Sequence, residues 1–265
     1  MTDSPWLFAA GIALGLFGLL IAWAWATRGP DDGAAKACLR LILRLYTRAW
    51  HGLRWSPAAD PLPARGAAIV VANHRSGVDP LVLYATTRRD IHFLMAREYY
   101  EVPHLRWLFR LVGAIPVNRD GKDLSATKAA LQRLKEGRVV GIFPEGGIRA
   151  PGEEGMDGSK FGVALLALRT GAAVVPAHIT GTPPFDSVLR AFVSPSRSSI
   201  RFGEPLRFAR AGERKPGREE METITKTIFE RIETLRRESE GRDTEDDSGR
   251  SQATATVESA QPNDR

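Results

Sequence analysis

Cysteine is almost absent from this 265-residue chain, which has Cys38 alone. An internal disulfide and a metal site built from several cysteines are therefore excluded. The histidines are scattered without the close spacing that metal-ligand motifs show. They are His51, His74, His92, His104 and His178. Neither glycine-rich phosphate loop, Gly-x-x-x-x-Gly-Lys-Ser/Thr or Gly-x-Gly-x-x-Gly after a strand, is present, which disfavours a nucleotide-binding protein.

Charge is absent from residues 6–27, a run of 22 residues that is long enough to span a bilayer as a helix. The alternative is a cleaved signal peptide, but residues 1–5 contain no Lys or Arg and the run exceeds a typical signal core. We therefore predict a short leader over residues 1–5 and a transmembrane anchor over residues 6–27. Basic residues dominate the segment that follows, so the positive-inside rule places the body in the cytoplasm.

A two-sided helix is predicted over residues 34–55, because Arg40, Arg44 and Arg48 recur at four-residue spacing. Apolar residues form its other face: Leu39, Ile42, Leu43, Tyr46, Trp50 and Leu53. This pattern is typical of a helix lying in a membrane interface, and equally of a surface helix packed on the core. The net charge of +6 suits membrane phospholipid or phosphorylated substrates, although charge alone would suit nucleic acid as well.

Short apolar strands alternate with helices between residues 60 and 238. The predicted strands are 67–72, 91–95, 139–143, 173–179 and 199–202, and the predicted helices are 124–135, 161–170 and 217–238. This alternation indicates one α/β domain, with a central mixed, largely parallel sheet flanked by helices. Residues 239–265 are polar, small and charged, a composition typical of a disordered tail.

The residues that follow strands receive most attention, because ligands bind at the carboxyl ends of strands in such sheets. His74 and Asp79 follow the first strand. On a continuous helix, residues five apart point about 140° away from each other, so the two could meet only across a turn. Gly77 would permit an unusual backbone angle there, with Asp79 as an N-cap and Pro80 opening a helix. Asp79 could then orient the His74 ring as a proton acceptor, or each residue could serve a purely local role.

Two further segments carry polar groups after apolar runs. Arg119, in residues 113–121, could hold a phosphate with its two-pronged guanidinium, or pair with Asp120 in a solvated loop. Glu145, in residues 143–147, is followed by two glycines that would expose backbone N–H groups to a ligand. An ordinary glycine-rich turn is the alternative for this third segment.

Together and in this order, the three segments resemble the 1-acyl-glycerol-3-phosphate acyltransferase family of glycerolipid acyltransferases, over roughly residues 60–210. The matching positions are His74 and Asp79 in His-x-x-x-x-Asp; Gly113, Ile115 and Arg119 in Gly-x-Ile-x-x-x-Arg; Phe143, Pro144, Glu145 and Gly146 in Phe-Pro-Glu-Gly; Lys160 and Gly162 in Lys-x-Gly; and Val174, Val175, Pro176 and Ala177 in a fourth motif. The resemblance implies a glycerolipid acyltransferase-like fold. A noncatalytic lipid-binding protein is disfavoured, since it would have no reason to keep both members of the first motif.

The resemblance also implies a reaction. His74 would act as general base and Asp79 would fix its tautomer, while a lysophosphatidic acid hydroxyl attacks a thioester. The acyl donor would be acyl-CoA or acyl-carrier protein, and no cofactor would be needed. Arg119, Glu145 and Gly146 would bind the acceptor.

The chain departs from the family after the third motif, where Thr-Arg is usual and Gly147, Ile148 and Arg149 stand here. The arginine is displaced by one position, so Arg149 could reach the phosphate only through a loop rearrangement, and a different acceptor is equally possible. Arg75 and Lys160 are further candidates for anion contact, with simple surface charge as the alternative. The abundance of Ala and Arg is typical of GC-rich bacterial genomes, which would place the protein in a bacterial inner membrane.

Overall fold

The computed structural model describes residues 33–55, 61–118, 124–144, 159–185, 187–211 and 214–258, with only the backbone of residues 159–160 and 242–258. The predicted leader and anchor over residues 1–27 lie outside these ranges. Within them, no helix combines the length and the hydropathy that crossing a membrane requires.

The described residues form eight helices and six strands. In chain order they are α1 (Ala34–Trp50), β1 (Ala68–Ala72), α2 (Asp79–Thr86), β2 (Ile91–Ala96), α3 (Arg97–Tyr100), α4 (Arg106–Leu111), β3 (Ile115–Val117), α5 (Leu124–Lys135), β4 (Val139–Ile142), α6 (Ser159–Thr170), β5 (Ala173–Thr180), α7 (Val188–Val193), β6 (Ser199–Phe202) and α8 (Arg218–Glu258).

The strands form one sheet in the order β3-β2-β4-β1-β5-β6. All neighbouring strands are parallel except β5 and β6, which pair antiparallel. Every residue of β1 is fully buried, as its unbroken run of Ala, Ile and Val predicts for a strand covered on both faces. The predicted α/β class with a mixed, largely parallel sheet is therefore confirmed.

Side chains that alternate along β1 divide the core into two layers. Ile69 and Val71 pack in the cluster that contains residues of α5, α6 and α8. Ala68, Val70 and Ala72 pack in the cluster that contains residues of α2. The period of two along a strand thus puts helices on both faces of the sheet.

Local signals located most elements, and the differences are instructive. Helix α5 has the predicted bounds, whereas β3 was missed because it is only three residues long and contains Pro116. Helix α8 runs from Arg218 to Glu258, past residue 239, where the tail was predicted to begin. Near that point Arg236 pairs with Glu240 one turn ahead, and such local pairs stabilise a helix.

Helix α1 turns Arg40 and Arg44 of its basic face towards the protein, whereas part of its apolar face points outward. Arg40 is 1% exposed, and its guanidinium donates to the carbonyls of Thr87 and Arg89 just beyond the end of α2. On the opposite side Ile42 is 61% exposed and Trp50 is 45% exposed. The arginines therefore satisfy carbonyl groups that the end of α2 leaves without helical partners.

Candidate active site

The site begins where β1 ends, at the side-chain amide of Asn73. Its Nδ2 donates to the carbonyl of Ile179 at 2.9 Å, and its Oδ1 accepts from the N–H of Ile179 at 2.8 Å. These two bonds tie the residue before His74 to the neighbouring strand β5. The chain therefore leaves the sheet in a fixed direction. This role of Asn73 could not be predicted, because its partner Ile179 lies 106 residues away in the chain.

His74 and Asp79 meet across the turn, as their spacing predicts. The ring Nδ1 of His74 lies 3.0 Å from Oδ2 of Asp79. The same oxygen accepts the backbone N–H groups of Arg75 at 2.7 Å and Ser76 at 2.8 Å. Asp79 is fully buried, while the side chain of His74 keeps 16% of its surface exposed.

The predicted N-cap at Asp79 is wrong. The cap position is Val78, and Asp79 is the first residue of α2 with Pro80 second. The carboxylate reaches back to the turn instead of forward to the helix, because the N–H groups of Arg75 and Ser76 point at it. It therefore holds the turn and the histidine together.

The role predicted for Gly77 is also corrected. Its φ angle does not lie in the left-handed region that favours glycine. Its importance is steric, since a Cβ atom there would lie 2.7 Å from Cα of Val188 at the start of α7. The Gly77 N–H donates to the carbonyl of Phe185 at 3.2 Å. The turn thus packs directly against the segment that leads into α7.

An aromatic ring stacks on one face of the His74 ring. Phe143, the first residue of the third motif, stacks on His74 with ring centroids 4.2 Å apart and planes 22° apart. Phe93 of β2 stacks in turn on Phe143 at 5.9 Å. The motif identified Phe143, but only the fold shows this contact, because β4 lies beside β1 in the sheet.

The geometry permits proton transfer at the second ring nitrogen of His74. With Nδ1–H donating to the Asp79 carboxylate, the neutral ring has a free lone pair on Nε2. Among the described residues, none bonds to this nitrogen, and Oδ1 of Asp79 is buried without a hydrogen-bond partner. The arrangement therefore leaves Nε2 able to accept a proton from a hydroxyl, while the Asp79 carboxylate holds the ring through Nδ1.

Few of the other predicted site residues can be located. Arg75 is exposed beside His74. Arg119, Glu145, Gly146 and Arg149 lie outside the described residues, and Lys160 stands in the first turn of α6 without a described side chain. Strands β3 and β4 run parallel to β1 within the sheet, so the chain leaves all three at the same edge. The first and third motifs begin at that edge, whereas the second motif begins before β3 and runs through it towards the same edge.

The structure describes the second motif from Gly113 through β3. Gly113 adopts a φ of 69°, a left-handed conformation that glycine tolerates best. Its carbonyl accepts a hydrogen bond from Nδ1 of His92 at 2.9 Å. Burial lowers the pKa of His92, with the Gly113 bond opposing it, so this histidine is a neutral donor that anchors the turn before Ile115.

Comparisons with known proteins agree with the site. Residues 57–180 match the protein-family model described as Acyltransferase. The chain is 28% identical over 153 residues to a 1-acyl-sn-glycerol-3-phosphate acyltransferase of Borreliella burgdorferi, covering 57% of this chain and 58% of that protein. It is 30% identical over 133 residues to a lyso-ornithine lipid O-acyltransferase of Rhodobacter capsulatus, covering 42% of this chain and 48% of that protein. The alignments thus span less than two thirds of these two relatives.

A solved structure shares the fold. The 1-acyl-sn-glycerophosphate (LPA) acyltransferase PlsC from Thermotoga maritima superposes with a TM-score of 0.58 at 21% identity, over 88% of this chain and 92% of that one. The matched family segment contains β1, the His74–Asp79 pair, Phe143 and most of the sheet. Over residues 57–180 the chain is therefore similar to the acyltransferase family, and its relatives include 1-acyl-sn-glycerol-3-phosphate acyltransferases.

Proposed function

We propose that this protein is an O-acyltransferase that moves a fatty acyl group onto the free hydroxyl of 1-acyl-glycerol-3-phosphate, forming phosphatidic acid in phospholipid biosynthesis. The donor is a thioester, acyl-CoA or acyl-carrier protein, and no cofactor takes part. The observation that carries the proposal is the His74–Asp79 pair, joined at 3.0 Å at the end of β1 within the matched family segment.

In this reaction Nε2 of His74 accepts the proton of the acceptor hydroxyl as its oxygen attacks the thioester carbonyl carbon. The C–S bond then breaks, the thiolate leaves, and the proton on His74 passes to that sulfur. Asp79 holds the ring in the tautomer that leaves Nε2 free and stabilises the imidazolium between the two steps. A positioned base contributes about 10²- to 10⁴-fold, so holding the two substrates together must supply much of the remaining acceleration.

Acceptor binding is assigned first to residues of the second and third motifs. Arg119 is the principal phosphate contact, with Arg75, Arg149 and Lys160 as further cations. Gly146 offers a backbone N–H, and Glu145 bonds a hydroxyl or orients a base, because a carboxylate would repel the phosphate. The roles of Arg119, Glu145 and Gly146 rest on the family motifs, whereas Arg75, Arg149 and Lys160 are assigned by their charge.

A different lysolipid acceptor is the second candidate. The displaced arginine at position 149 departs from the family pattern, and one relative is named as a lyso-ornithine lipid O-acyltransferase. An acceptor without a phosphate would make less use of an arginine in the usual place. The chemistry at His74 would be the same.

We place the enzyme in a membrane, as a single-pass protein anchored by residues 6–27 with its catalytic domain in the cytoplasm. The uncharged stretch and the basic residues after it support this orientation. A bacterial inner membrane fits the composition. Its phospholipid would surround the enzyme, and the product would join that phospholipid.

The test is an acyl-transfer assay on membranes that contain the full chain, with thiol release as the readout. Lysophosphatidic acid, glycerol-3-phosphate and other lysolipids serve as acceptors, and each donor is tried separately. Release that depends on lysophosphatidic acid is expected, and release only with another lysolipid would select the second candidate. No release with any acceptor would contradict the enzyme proposal and favour a lipid-binding protein.

His74→Ala tests the assigned base. We expect the rate to fall about 10²-fold or more, since the proton acceptor is lost while the fold is kept. His104→Ala is the matched control, because His104 is exposed in the turn between α3 and α4, and it should keep the parent rate. A His74→Ala enzyme with more than about a tenth of the parent activity would refute the general-base role.

A further inference from the structure

Helix α7 exposes more apolar surface than a six-residue helix in water should. Leu189 is 73% exposed and Val193 is 57% exposed, with Val188 and Phe192 at 41% and 39%. Of the six residues in this helix, only Ala191 is buried. A contiguous apolar patch of this kind usually marks a surface that contacts a partner or a membrane.

This patch continues onto α1. The ring of Phe192 stacks on Tyr46 of α1 with centroids 4.4 Å apart, and the Tyr46 hydroxyl donates to the carbonyl of Phe192. Just beyond α7, the N–H of Ser196 donates to the carbonyl of Trp50 at 3.3 Å. The two helices therefore form one surface, here called the α1–α7 apolar surface. Its members are Ile42, Leu45, Trp50, Leu189, Phe192 and Val193.

The two segments that carry the α1–α7 apolar surface are basic. Residues 34–55 and 187–203 contain eight Lys and Arg residues and no Asp or Glu, and of these Lys36 and Arg40 pair with Asp90. Arg48, Arg190 and Arg197 are exposed among them, and the Arg190 guanidinium lies 4.0 Å from the ring centroid of Phe185. An apolar surface with exposed arginines beside it is complementary to the interface of a bilayer with anionic headgroups.

The same surface is joined to the catalytic turn. Val188 lies so close to Gly77 that no side chain fits between them, and Phe185 accepts the Gly77 N–H. Gly77 belongs to the turn that carries His74 and Asp79. Whatever holds α7 in place therefore also sets the position of that turn.

We propose that α7 is a membrane contact in its own right, lying beside α1 in the headgroup region of an anionic bilayer and holding the catalytic turn at the lipid surface. Lipid is the occupant because of the charge pattern and because the uncharged residues 6–27 end only seven residues before α1 begins. The proposal rests on the proposed function only for its effect on activity, and the contact itself can be measured without turnover.

The contact is tested with a fluorescent label at position 189. The full chain carrying Cys38→Ser and Leu189→Cys is reconstituted into vesicles of phosphatidylcholine with phosphatidylglycerol. A label at Thr227→Cys is the control, because Thr227 is exposed on α8, in the layer on the other face of the sheet from α2. Quenchers attached to lipid acyl chains should reduce the fluorescence of the label at 189 and leave the fluorescence of the label at 227 unchanged.

Two results would overturn the proposal. Equal quenching of both labels by an aqueous quencher would show that α7 is exposed to water. A label at 189 that resists both the aqueous and the lipid quenchers would show that protein covers the surface, with residues 6–27 as the nearest apolar segment. Neither result depends on acyl transfer, so the proposed function would be untouched.

Leu189→Glu gives the activity test, with Leu124→Glu as its matched control. The two leucines are 73% and 71% exposed, but Leu124 begins α5, which packs in the other layer. We expect Leu189→Glu to lower the rate on vesicle-embedded lysophosphatidic acid about tenfold, and to keep the rate on a short-chain, water-soluble analogue. Equal losses on both substrates, or an equal loss in the control, would contradict a role for α7 in reaching the bilayer.

Discussion

At the scale of single residues, one oxygen of Asp79 organises the site. Its Oδ2 accepts hydrogen bonds from Nδ1 of His74 and from the backbone N–H groups of Arg75 and Ser76. The backbone bonds fix the carboxylate, and the carboxylate fixes the ring, so the histidine needs no other polar partner for its orientation. The Phe143 ring, which stacks on one face of the His74 ring, then limits the motion of His74 out of its ring plane.

Phe143→Leu tests that support. We expect kcat to fall about two- to tenfold with KM nearly unchanged, because a stacked pair contributes about 0.5–1.5 kcal/mol beyond its buried area. Initial rates over a range of both substrates measure the two constants. Phe109→Leu is the matched control, since Phe109 stacks on Tyr100 within the α3–α4 segment. Equal kcat for the parent and the Phe143→Leu enzyme would show that the stacking is incidental.

Elements that depend on local signals were predictable, and elements that depend on distant partners were not. Residues 124–135 show a helical period closed by a glycine, and α5 has those bounds. The burial of Arg40 could not be foreseen, because its partners Thr87 and Asp90 stand 47 and 50 residues away in the chain. Likewise, the pairing of His74 with Asp79 across a turn could be predicted, although the roles expected there of Asp79 as N-cap and of Gly77 were wrong. The stacking on Phe143 depends on strand order.

The contact between α1 and α2 contains a buried ionic cluster. Arg40 Nη2 lies 2.9 Å from Oδ1 of Asp90, and the Tyr84 hydroxyl donates to the same oxygen at 2.8 Å. Lys36 pairs with the other oxygen of Asp90. Because Tyr84 belongs to the helix that Asp79 begins, this cluster fixes α2 against α1.

Arg40→Met measures the strength of this contact. Removing one partner of a buried ion pair costs about 3–5 kcal/mol, because the remaining charge is left poorly compensated. We expect a loss of that order in the free energy of unfolding of the full chain in detergent, followed by circular dichroism. Arg48→Met is the matched control on the same helix, and its exposed side chain should change stability by less than about 0.5 kcal/mol. Similar losses in both variants would refute the assignment.

At the scale of the whole molecule, the two faces of the sheet carry different sets of helices. One face carries α2 and, through Arg40, α1, and leads to the α1–α7 apolar surface. The other carries α5, α6 and α8 and contains the buried His178 of β5. The second face is therefore the place to look for effects on global stability.

His178 makes the fold sensitive to acid. Burial, reinforced by Arg236 and Arg75 and opposed by Glu240 and Glu233, lowers its pKa from 6.5 to about 4. The unfolded chain thus binds a proton between these two pH values while the folded chain does not, so stability falls as the pH drops below 6.5.

His178→Leu should remove part of this acid sensitivity. With a folded pKa of about 4 and an unfolded pKa of 6.5, moving from pH 7 to pH 5 costs the parent about 2 kcal/mol through this residue. Leucine is apolar and similar in size to histidine, and Nδ1 of His178 has no hydrogen-bond partner among the described residues to be lost. Unfolding free energies of both proteins at the two pH values test this, and an unchanged pH difference in the variant would show that His178 titrates normally in the fold.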